Sequence, residues 1–236
     1  MIPPHDGYIE CFAGKAAVLW RKRPAARSIA IDLSPGRIAE LSEERSRVTT
    51  FAPRGPIAGD GDAVPLLELI VGDGVEYIKH FLPGPLAVFV YADPPYVRSS
   101  RADPDRDYYE HEWTDADHER FLDVADGLAC MVMISGYESA LYASRLARPK
   151  WRCSRFQTMT RGGPAEESVW MNYAAPDRLH DYRYIGHRFR DRERIRKRQR
   201  SWLRMLDEMA PLEREAMIAA VLDAYGDGGS LQCQNF

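Results

Sequence analysis

A chain of 236 residues, 45% of them hydrophobic and with a formal net charge of -3, is long enough to bury a substantial core, and its average charge alone gives no sign of nucleic acid. No apolar run approaches the roughly 20 residues that span a bilayer, and the amino terminus lacks the apolar core of a signal sequence, so a cytoplasmic protein is expected. Cys11, Cys130, Cys153 and Cys233 lie far apart, which argues against a zinc knuckle or a disulfide framework; free thiols and no metal are expected.

Residues 7–12 read as a first strand, followed by Ala13-Gly14-Lys15 and a helical stretch from Ala16 to about Lys22. A glycine directly after a strand lets a ligand approach the backbone, and the helix start behind it offers free amide donors, although such junctions are common in purely structural settings. A second strand, 28–32, ends in Asp32, and Pro35 starts a helix to about Arg45. An acid in that position is placed to bind ribose hydroxyls or, more blandly, to cap the helix. Residues 50–65 form a Pro/Gly-rich loop with Asp60 and Asp62 as solvated turn acids.

A third strand, 66–71, runs into Gly72-Asp73-Gly74 and a helix from Val75 to Leu82. The fourth, Val88 to Ala92, stops at Asp93-Pro94-Pro95-Tyr96. Two prolines cannot continue a ladder or enter a helix interior, so Asp93 and Tyr96 are fixed at the strand's carboxyl end, where open α/β sheets place their chemistry. The Asp93 carboxylate and the Pro94 carbonyl are both acceptors and can take the two hydrogens of a planar amino group, while Tyr96 stacks on the ring that bears it. An exocyclic amine on a nucleobase fits. A plain Pro-Pro turn is the competing reading of this tetrapeptide.

The stretch 97–113 interleaves Arg98, Arg101 and Arg106 with Tyr108, Tyr109, His111 and Trp113, as suits a loop that touches nucleic-acid backbone, or a mobile surface loop. Thr114 with Asp117 signals a helix to about Gly127, residues 128–135 form a buried strand, and Gly136-Tyr137 opens a helix to about Leu146. Residues 150–160 and 167–173 read as a hairpin across Arg161-Gly162-Gly163-Pro164. An α/β fold is therefore expected, its sheet mostly parallel with an antiparallel edge hairpin. Beyond Pro176 the chain becomes helical and basic to about Met209, with Ile195, Trp202, Leu203 and Leu206 on one apolar face that docks on the domain; a last helix follows Pro211. Like charges three or four residues apart repel, so an anionic partner for Arg194, Arg196 and Arg198 is expected.

These motifs, in this order, resemble the Dam-like adenine-specific DNA methyltransferases, in particular their short phage and prophage members. The resemblance runs from about Tyr8 to Arg204 and rests on residues 8–14, Asp32, Gly72-Asp73, Asp93 to Tyr96, residues 134–137 with Leu141-Tyr142, and the hairpin. It implies a Rossmann-like class I methyltransferase fold over 1–178, a basic helical extension over 179–225, a disordered tail over 226–236, S-adenosylmethionine as donor and DNA as partner. Carried over by motif, Glu10, Phe12, Ala13, Gly14, Lys15, Asp32, Asp73, Gly74 and Asp93 would bind the donor, with Asp32 on the ribose and Asp73 on the adenine. Asp93, Pro94, Pro95 and Tyr96 would grip a flipped adenine, and Arg98, Arg101, Arg161, Arg194, Arg196 and Arg198 would contact DNA. The chain departs from the family in three ways. Lys15-Ala16 stands where a second loop glycine is usual, a Gly-Gly-Lys segment before the first strand is absent, and only 93 − 73 = 20 positions separate Asp73 from Asp93, too few for the inserted recognition domain of larger members. The alternatives are methylation of the cytosine 4-amino group, RNA adenine methylation, protein glutamine methylation, or a non-catalytic DNA-binding protein on a decayed methyltransferase fold.

Overall fold

The computed structural model describes residues 1–47, 65–160, 163–186 and 188–225. Asp60, Asp62, Arg161, Cys233 and the 226–236 tail lie outside them. The chain divides into two compact units, Met1–Asp181 and Tyr182–Phe236.

In the first unit seven strands form one sheet in the order β3-β2-β1-β4-β5-β7-β6. They are β1 (Gly7–Glu10), β2 (Arg27–Asp32), β3 (Leu66–Val71), β4 (Val88–Ala92), β5 (Met131–Gly136), β6 (Arg152–Thr160) and β7 (Gly163–Met171). The first five are parallel, while β7 runs antiparallel between β5 and β6. This is the expected Rossmann-like α/β architecture with its antiparallel hairpin at one edge. Helices α1 (Ala17–Arg21), α2 (Pro35–Arg47), α3 (Gly74–His80), α4 (Asp115–Gly127) and α5 (Ala140–Leu146) connect the strands.

Consecutive side chains of a strand point to opposite faces, and a sheet covered on both faces has two cores. Ile9, Ile29, Ile31, Val90, Val132 and Ile134 join Val75 and Ile78 of α3 and Phe121 and Leu122 of α4 on one face. Tyr8, Ala30, Phe89, Met133 and Val169 join Leu19 of α1 and Leu41 of α2 on the other. Each fully buried side chain of this size contributes on the order of 1.5–3 kcal/mol.

The chain order reverses between β1 and β4, so a crevice opens at their carboxyl ends. Asp73 caps α3 by accepting from the Val75 and Glu76 amides. A Cβ on Gly74 would stand 1.9 Å from the Cys11 carbonyl oxygen, so only glycine lets α3 start against the exit of β1. Thr114 and Asp117 form the expected capping box at α4.

Three sequence expectations need correction. Helix α5 opens at Ala140 because Ser139 caps it, not at Gly136-Tyr137. Strand β7 begins at Gly163, before residue 167. After Pro176 the described residues form no helix or strand until α6 (Phe189–Asp207), which is followed by α7 (Pro211–Tyr225) in the second unit. Helix α6 has no buried residue, and its Trp202 and Leu203 are 56% and 61% exposed.

Candidate active site

The exit of β1 turns sharply above the sheet. The Ala13 amide donates to the Ile31 carbonyl at 2.8 Å, and Gly14 then adopts φ +49°, with no atom within 4 Å of where a Cβ would project. Its amide donates to Asp32 Oδ2 at 2.8 Å, and the Ser34 amide donates to Asp32 Oδ1 at 2.9 Å. One carboxylate at the end of β2 thus ties the loop of β1 to the start of α2. Ala16 is buried in the left-handed conformation (φ 47°, ψ 41°). The turn keeps a backbone shape that favours glycine, at a cost of about 1–2 kcal/mol for a residue with a Cβ.

Beside this loop lies a cleft of about 390 Å³. All nine residues expected around a donor line it: Glu10, Phe12, Ala13, Gly14, Lys15, Asp32, Asp73, Gly74 and Asp93. Phe12 is fixed edge-on against Trp113 and Phe121, with ring centroids 5.1 and 5.5 Å away. Asp73 spends one oxygen on the α3 cap and the other on Arg120 at 2.8 Å. Burial would raise its carboxyl, but Arg120 and the two amides hold it below the usual range. Glu10 is buried, accepting from the Tyr8 hydroxyl at 2.7 Å and the Leu19 amide at 3.1 Å, and burial still pushes it up to about 7.

At the far side of the cleft, Asp93 Oδ1 accepts from Ser135 Oγ at 2.9 Å, and Ser135 Oγ is 2.9 Å from the Tyr91 hydroxyl. Asp93 opens to the cleft, yet the protein around it lifts its carboxyl to about 6; Ser135 works against that rise and Glu167 of β7 adds to it. Pro95 lines the cleft. Pro94 is buried, and Tyr96 is half-buried with its ring 4.5 Å from that of Tyr137 at an interplanar angle of 66°. The four residues of the motif are therefore held together at the end of β4.

The three arginines of the 97–113 segment are placed differently, Arg106 exposed and Arg101 enclosed. Arg101 is a correction: its side chain is only 4% exposed and points inward, its Nε donating to the Tyr96 carbonyl at 2.7 Å and its Nη2 lying 2.7 Å from Glu112 Oε2. It is a structural anchor, since a buried guanidinium is not offered to a phosphate. Arg98 pairs with Asp107 at 2.5 Å. Glu112 Oε1 accepts from the Tyr108 and Tyr109 amides at 2.6 and 3.0 Å, and both tyrosines line the cleft. Arg194 and Arg196 lie exposed on α6, with acidic neighbours three residues earlier at 4.0 and 3.1 Å; Arg198 is exposed too.

Sequence reasoning gave no role to Ser135, Tyr91, Glu167 or Ser34. Ser135 stood within the quoted Ile134-Ser135-Gly136-Tyr137 motif, and strand alternation places it opposite Asp93 once β4 and β5 pair in register, Ala92 beside Ile134. Glu167 had no local signal; it reaches the site because β7 folds back beside β5.

No family model matches the chain, and no curated protein matches it. Among solved structures it is similar to SMU.1697c from Streptococcus mutans, solved in complex with SAH (11% identity, 72% of this chain and 89% of that one, TM-score 0.48). An rRNA methylase from Streptococcus thermophilus gives 14% identity, 72% and 89% coverage and a TM-score of 0.44. Magnesium protoporphyrin IX methyltransferase from Synechocystis, with bound SAM, gives 12%, 72% and 71%, and 0.44. Likenesses this weak do not bear on what this chain does.

Proposed function

We propose that this protein is an S-adenosylmethionine-dependent methyltransferase acting on the exocyclic 6-amino group of adenine in DNA. The observation that carries the reading is Asp93, held by Ser135 at the rim of the cleft that Asp32 and Gly14 frame. The cleft fits such a donor. Its volume is in the range of small-molecule sites, the open face of Gly14 admits a ligand to the backbone, and Asp32 keeps lone pairs for ribose hydroxyls. Lys15, exposed at the mouth, is placed for an anionic end of the ligand.

When bound, the donor supplies an electrophilic methyl group on a sulfonium. Asp93 and the Pro94 carbonyl accept the amine hydrogens, which returns electron density to a nitrogen whose lone pair is delocalised into its ring. As the C–N bond formed and the methyl–sulfur bond broke, positive charge would pass from the sulfonium to the amine, where Asp93, the acid nearest to it in the motif, would stabilise it until the extra proton is lost to solvent. Tyr96 provides the stacking face for the base. The exposed cations of α6 support a polyanionic acceptor.

The test pairs donor binding by calorimetry with methyl transfer to duplex DNA, followed by nucleoside analysis. Donor binding with 6-methyladenine in DNA is the expected result. 4-Methylcytosine in its place would move the assignment to the cytosine 4-amino group, since the same grip serves any exocyclic amine. A purified protein that binds DNA and no donor would be the decayed, non-catalytic form.

A further inference from the structure

We infer that Arg101 and Glu112 form a positioning pair that fixes two parts of the site at once: the turn carrying Tyr96 and the aromatic wall made by Tyr108 and Tyr109. The inference rests on the proposed methyl transfer for its functional consequence, though not for its geometry.

The chain leaves the Asp-Pro-Pro-Tyr turn, makes a short 3₁₀ turn at Arg98–Ser100, and returns to the cleft at 108–113. Such a polar excursion has few apolar contacts to define it, and some other device must set its course. Arg101 does so from the inside. Its guanidinium donates to the Tyr96 carbonyl from both Nε and Nη2, and pairs with Glu112. Glu112 in turn uses its second oxygen for the Tyr108 and Tyr109 amides. The guanidinium also lies 5.1 Å from the Tyr109 ring centroid and 5.8 Å from that of Tyr108. The central Arg101–Glu112 link is charge-assisted and little exposed, with Glu112's side chain at 14% and that of Arg101 at 4%. Burial would lift the Glu112 carboxyl, yet Arg101 and the two amides hold it at about 2, so the pair stays charged at any working pH.

The two ends of the pair serve different halves of the reaction. Tyr96 belongs to the acceptor grip. Tyr108 and Tyr109 wall the cleft beside Phe12, Asp73 and Asp93. Donor affinity should then depend on Glu112, and the turnover step on Arg101.

Glu112→Ala removes the acceptor of both amides. Hydrogen exchange read over residues 102–113 should speed up at Tyr108 and Tyr109 by at least about tenfold, the loss expected for a charged acceptor, with the sheet unaffected. The donor dissociation constant should rise about tenfold, with kcat changed much less. Arg101→Lys keeps the charge but not the fork that holds the Tyr96 carbonyl, and should lower kcat about tenfold at nearly unchanged donor affinity. If Glu112→Ala does not fold, Glu112→Gln keeps the shape with a weaker acceptor and should show the same two changes at about half the size on a logarithmic scale. Unchanged exchange at Tyr108 and Tyr109 would overturn the latch itself. Faster exchange with donor affinity and kcat both unaltered would overturn its positioning role. A wild-type protein that binds no donor would instead sink the methyltransferase reading, while the exchange result would still decide whether the pair holds the wall.

Discussion

Ser135 Oγ lies 2.9 Å from Asp93 Oδ1 and, as the donor, stabilises the ionised carboxylate that the surrounding protein disfavours. Asp93 titrates at about 6, above the usual value of an aspartate. If the ionised form accepts the amine hydrogens, methyl transfer should rise with pH through about 6 and level off above it. In Ser135→Ala the donor is lost, the carboxyl rises further, and the acid limb should move up by about one unit, as expected for a hydrogen bond to a charged group. An unmoved limb in the rate profile would detach Ser135 from the chemistry.

The same shift has a consequence for stability, with the opposite sign from a salt-bridged aspartate. The folded state holds the Asp93 proton more tightly than the unfolded chain does, so the carboxyl favours folding at acid pH and costs stability as pH rises from about 4 through about 6. Asp93→Asn should therefore stabilise the fold at pH 8 and not at pH 4, by about 1 kcal/mol at most because the carboxyl faces solvent. Transfer should fall at least about a hundredfold in the same variant. Thermal melts at the two pH values check the first claim.

Asp32→Ala removes the acceptor of the Gly14 and Ser34 amides together with the proposed ribose partner. Donor affinity should fall by about 1.5–3 kcal/mol, which calorimetry reads directly. Because the loop itself loses an anchor, stability should drop as well, by about 1–2 kcal/mol.

At Ala16 the left-handed backbone sets two costs against each other. Glycine would relieve about 1–2 kcal/mol of strain but lose a buried methyl and add unfolded-state entropy, each worth about 0.5–1 kcal/mol. Ala16→Gly should be neutral within about 1 kcal/mol in denaturant unfolding. Ala16→Val, a β-branched residue at the same positive φ in a site with no exposed surface, should cost more than 2 kcal/mol.

Arg194, Arg196 and Arg198 stand exposed on α6, weakly compensated by Asp191 and Glu193. Replacing all three by Ala should weaken DNA binding alike across unrelated sequences and flatten its salt dependence by up to about three counterions. A salt slope equal to that of the wild type would leave the helix as a solvated cationic face.

The parts of the fold legible in the sequence were those written locally. Apolar runs ending in an acid, a glycine or two prolines mark β1 to β4 and their exits, and Thr114 with Asp117 marks α4, because strand burial and caps act over a few residues. Ser135, Glu167 and the Arg101–Glu112 pair were not legible as functional groups, since each acquires its role from a partner at least 112 − 101 = 11 residues away that only the folded sheet or loop supplies. Arg101 misled for a related reason. In sequence an arginine among tyrosines looks free for phosphate, and nothing local says that Glu112 and the Tyr96 carbonyl will enclose it.

Gly74 presses the start of α3 onto Cys11, a residue of the cleft lining that is only 1% exposed and whose Sγ lies 3.4 Å from the Tyr91 carbonyl. Burial drives that thiol far above its ordinary titration range, which leaves almost none of the nucleophilic thiolate at neutral pH. Cys153, by contrast, is exposed on β6. Alkylating reagents should label Cys153 at once and reach Cys11 only when β1, β4 and α3 part. The labelling rate at Cys11 is therefore a native chemical clock for opening of the cleft floor, readable by mass spectrometry in the unmodified protein, and ligands that bridge β1 and β4 should slow it.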